Sequence, residues 1–247
     1  MAVPGTDVSH AGRRRLRPAL EPLKTALLRL LARKNRPAPR KPGAGRGLRG
    51  GQSVAHLQIA GLDCTGIDPY LPGDSRTPEG VELRKTSLLA EPNTYHAILF
   101  NHSFEHVPDP REVLGKAATL LEPGGCVVVR IPLADSFAFF RYGPDWVQWD
   151  PPRHLHLFTR DSFRRLAEQC GLRVATTIYD SDKMQFWGSE EYHRNIFHNS
   201  SESYGHNPRQ TLFTKRQLRD FDRWAKWLNR MGAGDQAAFI CRKAETP

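Results

Sequence analysis

Residues 95–132, YHAILFNHSFEHVPDPREVLGKAATLLEPGGCVVVRIP, constrain the fold more than any other stretch. The apolar run Ala97-Ile98-Leu99-Phe100 is short and bounded, as a buried strand is. A polar turn from Asn101 to His106 follows, then Pro108-Asp109-Pro110. Val113, Leu114, Ala117, Leu120 and Leu121 recur at close to helical spacing, and Pro123-Gly124-Gly125 is expected to stop that helix. The run Val127-Val128-Val129-Arg130-Ile131 reads as a second buried strand. Strand, helix and strand in this length predict a βαβ unit, hence a parallel sheet with a right-handed crossover. In open sheets of that kind ligands bind beyond the carboxyl ends of the strands, which is where the turn 101–106 falls.

Charge divides the chain unevenly. The formal net charge is +10, yet residues 1–50 hold 13 Lys and Arg against 2 Asp and Glu, leaving 23 basic and 24 acidic residues for the rest. Residues 1–50 are therefore read as a basic, Pro/Gly/Arg-rich, poorly ordered extension: 13–34 carries leucines at helical spacing, and 36–51 has linker composition. No aromatic side chain is interleaved with those arginines, so stacking on bases has no platform there and nucleic acid is not an expected partner. No apolar run approaches the ~18 residues of a membrane helix, and no secretory signal is recognisable. Cys64, Cys126, Cys170 and Cys241 are widely spaced with no C-x-x-C, which reads as four reduced thiols in a cytoplasmic protein.

The strings N-H-S-F-E-H-V-P-D-P at 101–110, L-E-P-G-G at 121–125 and G-I-D-P at 66–69 resemble the class I S-adenosylmethionine-dependent methyltransferases, in particular the small-molecule "methyltransferase domain" group. The resemblance covers roughly residues 51–243. It implies a Rossmann-like α/β fold, a mostly parallel sheet with a C-terminal antiparallel strand, over a domain 51–247 with an insertion at about 181–209. It also implies S-adenosylmethionine as cofactor and a small-molecule methyl acceptor, a sugar or other cell-surface precursor being one such class. The upstream end departs from the family. Gly47 and Gly51 fit the outer glycines of the cofactor loop, but Arg49 stands where the middle glycine belongs and no apolar strand precedes it. An altered reading frame upstream of about position 50, a decayed inactive homologue, and a first strand supplied from elsewhere in the chain are the three open accounts.

Site candidates follow from the same resemblance. Asp68 ends a predicted strand 17 positions after Gly51, and a carboxylate there accepts ribose hydroxyl hydrogen bonds. Ser87 and Leu88 lie where the adenine is held, and Asn101 and His102 line the methionine end. Glu105 and His106 are expected to begin the next helix. His102 and His106 have i, i+4 spacing, but without a third ligand they do not make a zinc site. Within 146–156, WVQWDPPRHLH, the candidates for acceptor contacts are Trp146, Asp150 and Arg153, and His154 is a candidate general base with His102 and His106. The competing reading is structural: Arg153 bridges Asp150, and Trp146 and Trp149 pack as a lid. A NAD-binding oxidoreductase on a similar sheet is the rival activity, disfavoured by the E-H-x-P-D-P turn.

Overall fold

A computed structural model of the chain describes residues 43–46, 63–198, 200–209 and 211–244. The expected helix in 13–34 and both loop glycines, Gly47 and Gly51, lie outside the described residues, and of the expected linker 36–51 only Gly43–Arg46 is described, as a strand rather than a linker. The frame is one eight-stranded sheet, made of β1 (Gly43–Arg46), β2 (Cys64–Ile67), β3 (Ser75–Arg76), β4 (Glu82–Arg84), β5 (Tyr95–Asn101), β6 (Leu121–Pro132), β7 (Leu172–Tyr179) and β8 (Gln236–Lys243). Their order across the sheet is β3-β4-β2-β1-β5-β6-β8-β7. The pairs β4–β2, β2–β1, β1–β5 and β5–β6 are parallel, and β8 runs antiparallel between β6 and β7. The parallel sheet and the antiparallel C-terminal strand are those expected.

Position 51 is where the sequence reading begins the domain, and it expects the first strand to be degraded or missing. Backbone from Gly43 to Arg46 nevertheless pairs with β2 on one side and β5 on the other, in the middle of the sheet. A strand of sequence GAGR offers no apolar run by which to recognise it.

The central βαβ unit forms as its sequence dictates, with one correction. Helix α1 (Pro110–Thr119) starts at Asp109, whose side chain accepts the Glu112 N–H at 2.9 Å, with Pro at its first position. Its buried face is Val113, Leu114, Ala117 and Ala118. The helix has ended before Pro123, however, and Leu121 already pairs with Tyr95. Pro123-Gly124-Gly125 is therefore a bulge inside β6 and not a helix stop: Tyr95 pairs Leu121 while Ala97 pairs Cys126. Glycine is needed at 125, because a Cβ there would sit 2.8 Å from the His96 carbonyl oxygen. Beyond the bulge Val127, Val128, Val129 and Ile131 are fully buried, as a strand covered on both faces requires.

Helix α3 (Arg160–Gln169) covers β7 and is capped by Thr159 through a reciprocal box with Ser162. Its Phe163 is fully buried with its ring 4.4 Å from that of Phe239. Two further helices are α2 (Phe137–Tyr142), ahead of the segment 146–156, and α4 (Met184–Tyr192), within the expected insertion at about 181–209. The latter packs under α5 (Lys215–Arg230), Phe186 stacking on Phe221 at 5.4 Å. Polar composition hid α4, because its buried residues include Gln185, Ser189 and Glu191: Gln185 donates to the Asp182 carbonyl, Ser189 to the Gln185 carbonyl, and Glu191 accepts from Ser203.

Candidate active site

The carboxyl ends of the parallel strands bring the sequence candidates to one edge. Asp68 follows β2; its amide donates to the Arg84 carbonyl at 3.1 Å, and its Oδ1 accepts the Tyr70 N–H at 2.9 Å. Pro69 between them and that side-chain bond make an Asx turn, which fixes the carboxylate at the strand end. Ser87 follows β4 and caps the single 3-10 turn Leu88–Ala90, accepting the Ala90 N–H at 3.3 Å. Leu88 is buried in the main core, so its side chain supports this edge from below.

At the end of β5, Asn101 Oδ1 accepts from Arg130 Nη1 at 3.2 Å. His102 has φ of 49°, a left-handed turn that swings the chain out of the strand, and its amide donates to the Arg130 carbonyl at 2.9 Å. Residues 104–106 then form a single 3-10 turn, and α1 begins only at Pro110. Glu105 and His106 thus precede the helix they were expected to begin, and the i, i+4 pairing of His102 with His106 does not arise. His106 instead lies against His154, ring centroids 4.9 Å apart.

The segment 146–156 closes over this turn. The amides of Leu155 and His156 both donate to the Glu105 carbonyl, at 2.9 and 3.2 Å. Asp150 has φ of 41°, and its carbonyl accepts the amides of Arg153 and His154. The Pro151–Pro152 peptide is cis. Arg153 donates through Nε and Nη2 to Asp150 Oδ1, at 3.0 and 2.6 Å, so the structural account of that pair describes its present state. Trp146 is fully buried and donates its Nε1–H to Asp235 Oδ2 at 3.3 Å. This corrects the expectation of a direct acceptor contact from Trp146: it anchors the segment, while Trp149 stays partly exposed at the rim.

The electrostatics centre on Glu105, whose side chain is 1% exposed. Its Oε1 lies 3.3 Å from His102 Nδ1 and 3.9 Å from His154 Nε2. Burial is the largest influence and raises its pKa, but the hydrogen bond and charge of His102, with His154, outweigh it and hold the carboxyl below its ordinary value. For His154 burial dominates and lowers the pKa, against Glu105, the Gln148 carbonyl and Asp150, which raise it. It is therefore neutral at pH 7. Its Nδ1 is 2.7 Å from the Gln148 carbonyl, so Nδ1 carries the proton and the Nε2 lone pair faces the site.

Four residues that matter here are not singled out as site residues in the sequence reading. Arg130, an arginine inside an otherwise apolar strand run, donates to Asp180 Oδ2 at 2.7 Å as well as to Asn101. Gln236 closes the set on Asp180. Asp235 sits below Trp146, its pKa pushed up to about 7 mainly by burial. A charged residue in a buried strand was the available signal for Arg130; Asp180 and Asp235 are distant in sequence and gave none.

A parallel sheet with this crossover order, an acidic residue ending β2 and a polar corner ending β5 define a class I methyltransferase architecture, the class that uses S-adenosylmethionine. A family model described as "methyltransferase domain" matches residues 21–177, more than half of the chain, and the chain belongs to that family. Among curated proteins it is 32% identical over 108 residues to a ubiquinone biosynthesis O-methyltransferase of Aeromonas salmonicida, covering 39% of this chain and 45% of that protein. It is 31% identical over 91 residues to the protein of that name from Burkholderia multivorans, 36% and 38% of the two chains. These matches span less than half the length of the curated relatives.

Among solved structures, a Burkholderia thailandensis 1,6-didemethyltoxoflavin-N1-methyltransferase with bound 1,6-didemethyltoxoflavin and S-adenosylhomocysteine has a TM-score of 0.51 at 15% identity. That match covers 92% of this chain and 79% of the other. A SAM-dependent methyltransferase from Archaeoglobus fulgidus has a TM-score of 0.50 at 16% identity, covering 91% and 94%. At such identities the likeness speaks for the fold.

Proposed function

We propose that this chain transfers the methyl group of S-adenosylmethionine to a hydroxyl oxygen of a small molecule. Asp68 accepts the ribose hydroxyls, Ser87 and the backbone over Leu88 border the adenine, and Asn101 with His102 faces the methionine end. Gly47 and Gly51, the outer glycines of the resemblance, complete the set of candidate cofactor contacts. The segment 146–156 covers the acceptor, with Asp150 and Arg153 at its edge.

One observation carries the choice of a hydroxyl acceptor: the neutral His154 imidazole, with its Nε2 lone pair aimed at the turn after β5. The sulfonium is already an activated donor, so alignment and exclusion of water do most of the work. A hydroxyl must still lose its proton as its oxygen attacks the methyl carbon and the C–S bond breaks, and a base near neutrality suits that task. His102 and His106 flank His154 in the same cluster. The names of the curated relatives, O-methyltransferases, point the same way. Four free cysteines fit a cytoplasmic setting, and among the described residues no helix is long and apolar enough to cross a membrane.

The test is label transfer from methyl-labelled S-adenosylmethionine to a panel of small hydroxylated, amino and thiol acceptors. Labelling of hydroxylated acceptors that falls at least tenfold in His154→Ala supports the reading. Turnover confined to amines or thiols contradicts it. Absence of turnover with every acceptor class favours an inactive homologue.

A further inference from the structure

Glu105, His106 and His154 come from two segments and converge on one point. One ligand-capable atom from each, a carboxylate oxygen and two imidazole nitrogens, lies within 4.8 Å of the others. Both histidines are held by their Nδ1 atoms: His106 is 2.7 Å from the Arg153 carbonyl and His154 is 2.7 Å from the Gln148 carbonyl. A carbonyl only accepts, so each Nδ1 carries the proton and each Nε2 presents a lone pair. This is the outer arrangement that orients metal-bound imidazoles.

A second, independent observation comes from the carboxylate. Glu105 is buried, and its Oε2 makes no hydrogen bond although it is shut off from solvent. A buried carboxylate oxygen without a donor is costly, and a cation would satisfy it. Asp150 Oδ2 stands 3.7 Å from His154 Nε2, a second carboxylate oxygen within reach.

We propose that Glu105, His106 and His154 form a binding site for one divalent first-row cation, with zinc, cobalt or manganese as the fitting class. Two imidazoles and one carboxylate with open positions are the donor set such ions take at catalytic sites. Ligands about 2.1 Å from a tetrahedral ion stand roughly 3.4 Å apart, so loading requires the three, now within 4.8 Å of one another, to draw in by up to about 1.4 Å. His106 is exposed, so its ring can pivot about the Nδ1 contact to the Arg153 carbonyl.

The inference deepens the methyl-transfer reading and rests on it only for its consequence. With the ion bound, both Nε2 lone pairs are ligands, and the acceptor hydroxyl meets the ion. The ion would lower the hydroxyl pKa; the proton would leave to solvent, and the oxygen anion would attack the methyl carbon as the C–S bond breaks and S-adenosylhomocysteine leaves. In the ion-loaded chain this takes the place of the base role that His154 has in the ion-free chain: His106 and His154 hold the ion, and solvent takes the proton.

The experiment titrates chelator-treated full chain with Zn2+ by calorimetry and with Co2+ by visible absorption, in the absence of cofactor and acceptor. The expected result is one site per chain, with affinity at least tenfold weaker in His106→Ala and in His154→Ala. The exposed control His193→Ala, whose imidazole pairs with Asp145, is expected to bind like the parent. His106→Ala removes an exposed side chain, so its effect is separable from misfolding. Absence of stoichiometric binding, or binding unchanged by both site substitutions, overturns the proposal. Stoichiometric binding without methyl transfer upholds the site while the activity falls. Undiminished transfer in chelator with no ion binding removes the site and leaves the activity.

Discussion

Asp68 and Asn101 each stand one residue past a partner of Arg46: Ile67 pairs with Arg46 on one side and Phe100 on the other. With strands about 4.8 Å apart, the two are roughly 10 Å from each other across the end of β1, on one rim. The spacing of the Asp68 carboxylate and the Asn101 corner is thus fixed by sheet register, with the first strand between them.

The corner has a buried ionic support. Arg130 and Asp180 are both nearly solvent-free and 2.7 Å apart, and Arg130 also holds Asn101. Arg130→Met leaves Asp180 buried without its cation, for which the expected loss is about 3–5 kcal/mol of unfolding free energy in urea. The double variant Arg130→Met with Asp180→Asn is expected to recover a large part of it. A single-variant loss under about 1 kcal/mol would show that the pair is not structural.

Asp235 sets a pH dependence. Its folded pKa, about 7, is raised above the model-compound value of 3.8, mainly by burial. A raised pKa means that the protonated folded form is favoured. The group's stabilising contribution is full below about pH 4 and is lost as pH rises to about 7. The size is on the order of 4 kcal/mol. Urea denaturation between pH 4 and 8 is expected to show the parent losing stability relative to Asp235→Asn over that window, with a constant difference above it. Parallel curves throughout would exclude Asp235 as the titrating group.

Packing of α4 against the closing segment is tight at one glycine. A Cβ on Gly188 would lie 2.7 Å from Val147 Cγ2, and Val147 is next to Gln148, whose carbonyl holds His154. Gly188→Ala is expected to cost about 1–3 kcal/mol and to raise the acceptor KM. Adding Val147→Ala should relieve the stability loss, measured by thermal unfolding. Full stability in Gly188→Ala would contradict the contact.

Local pattern made the centre of this chain legible. The apolar runs at 97–100 and 127–131 and the helical spacing from Val113 to Ala117 each announce themselves. Pro123-Gly124-Gly125 was misread because Pro and Gly mark both helix ends and bulges, and only the Tyr95–Leu121 pairing separates the two. The first strand escaped because recognition of a central strand relies on branched apolar residues, and GAGR has none. Asp68 and Asn101 were readable as strand ends. The Glu105–His106–His154 cluster was not, because 47 residues separate its halves and the Glu105 carbonyl docks the second onto the first.

The central claim is that the edge carrying Asp68 and Asn101 binds the cofactor. Calorimetric titration of the full chain with S-adenosylhomocysteine, beside Asp68→Ala, tests it most directly. A carboxylate hydrogen bond to ribose contributes about 1.5–3 kcal/mol, so the expectation is micromolar binding by the parent and a loss of roughly 10- to 100-fold in the variant. A folded parent that gives no heat, or a variant that binds as tightly as the parent, would contradict the account.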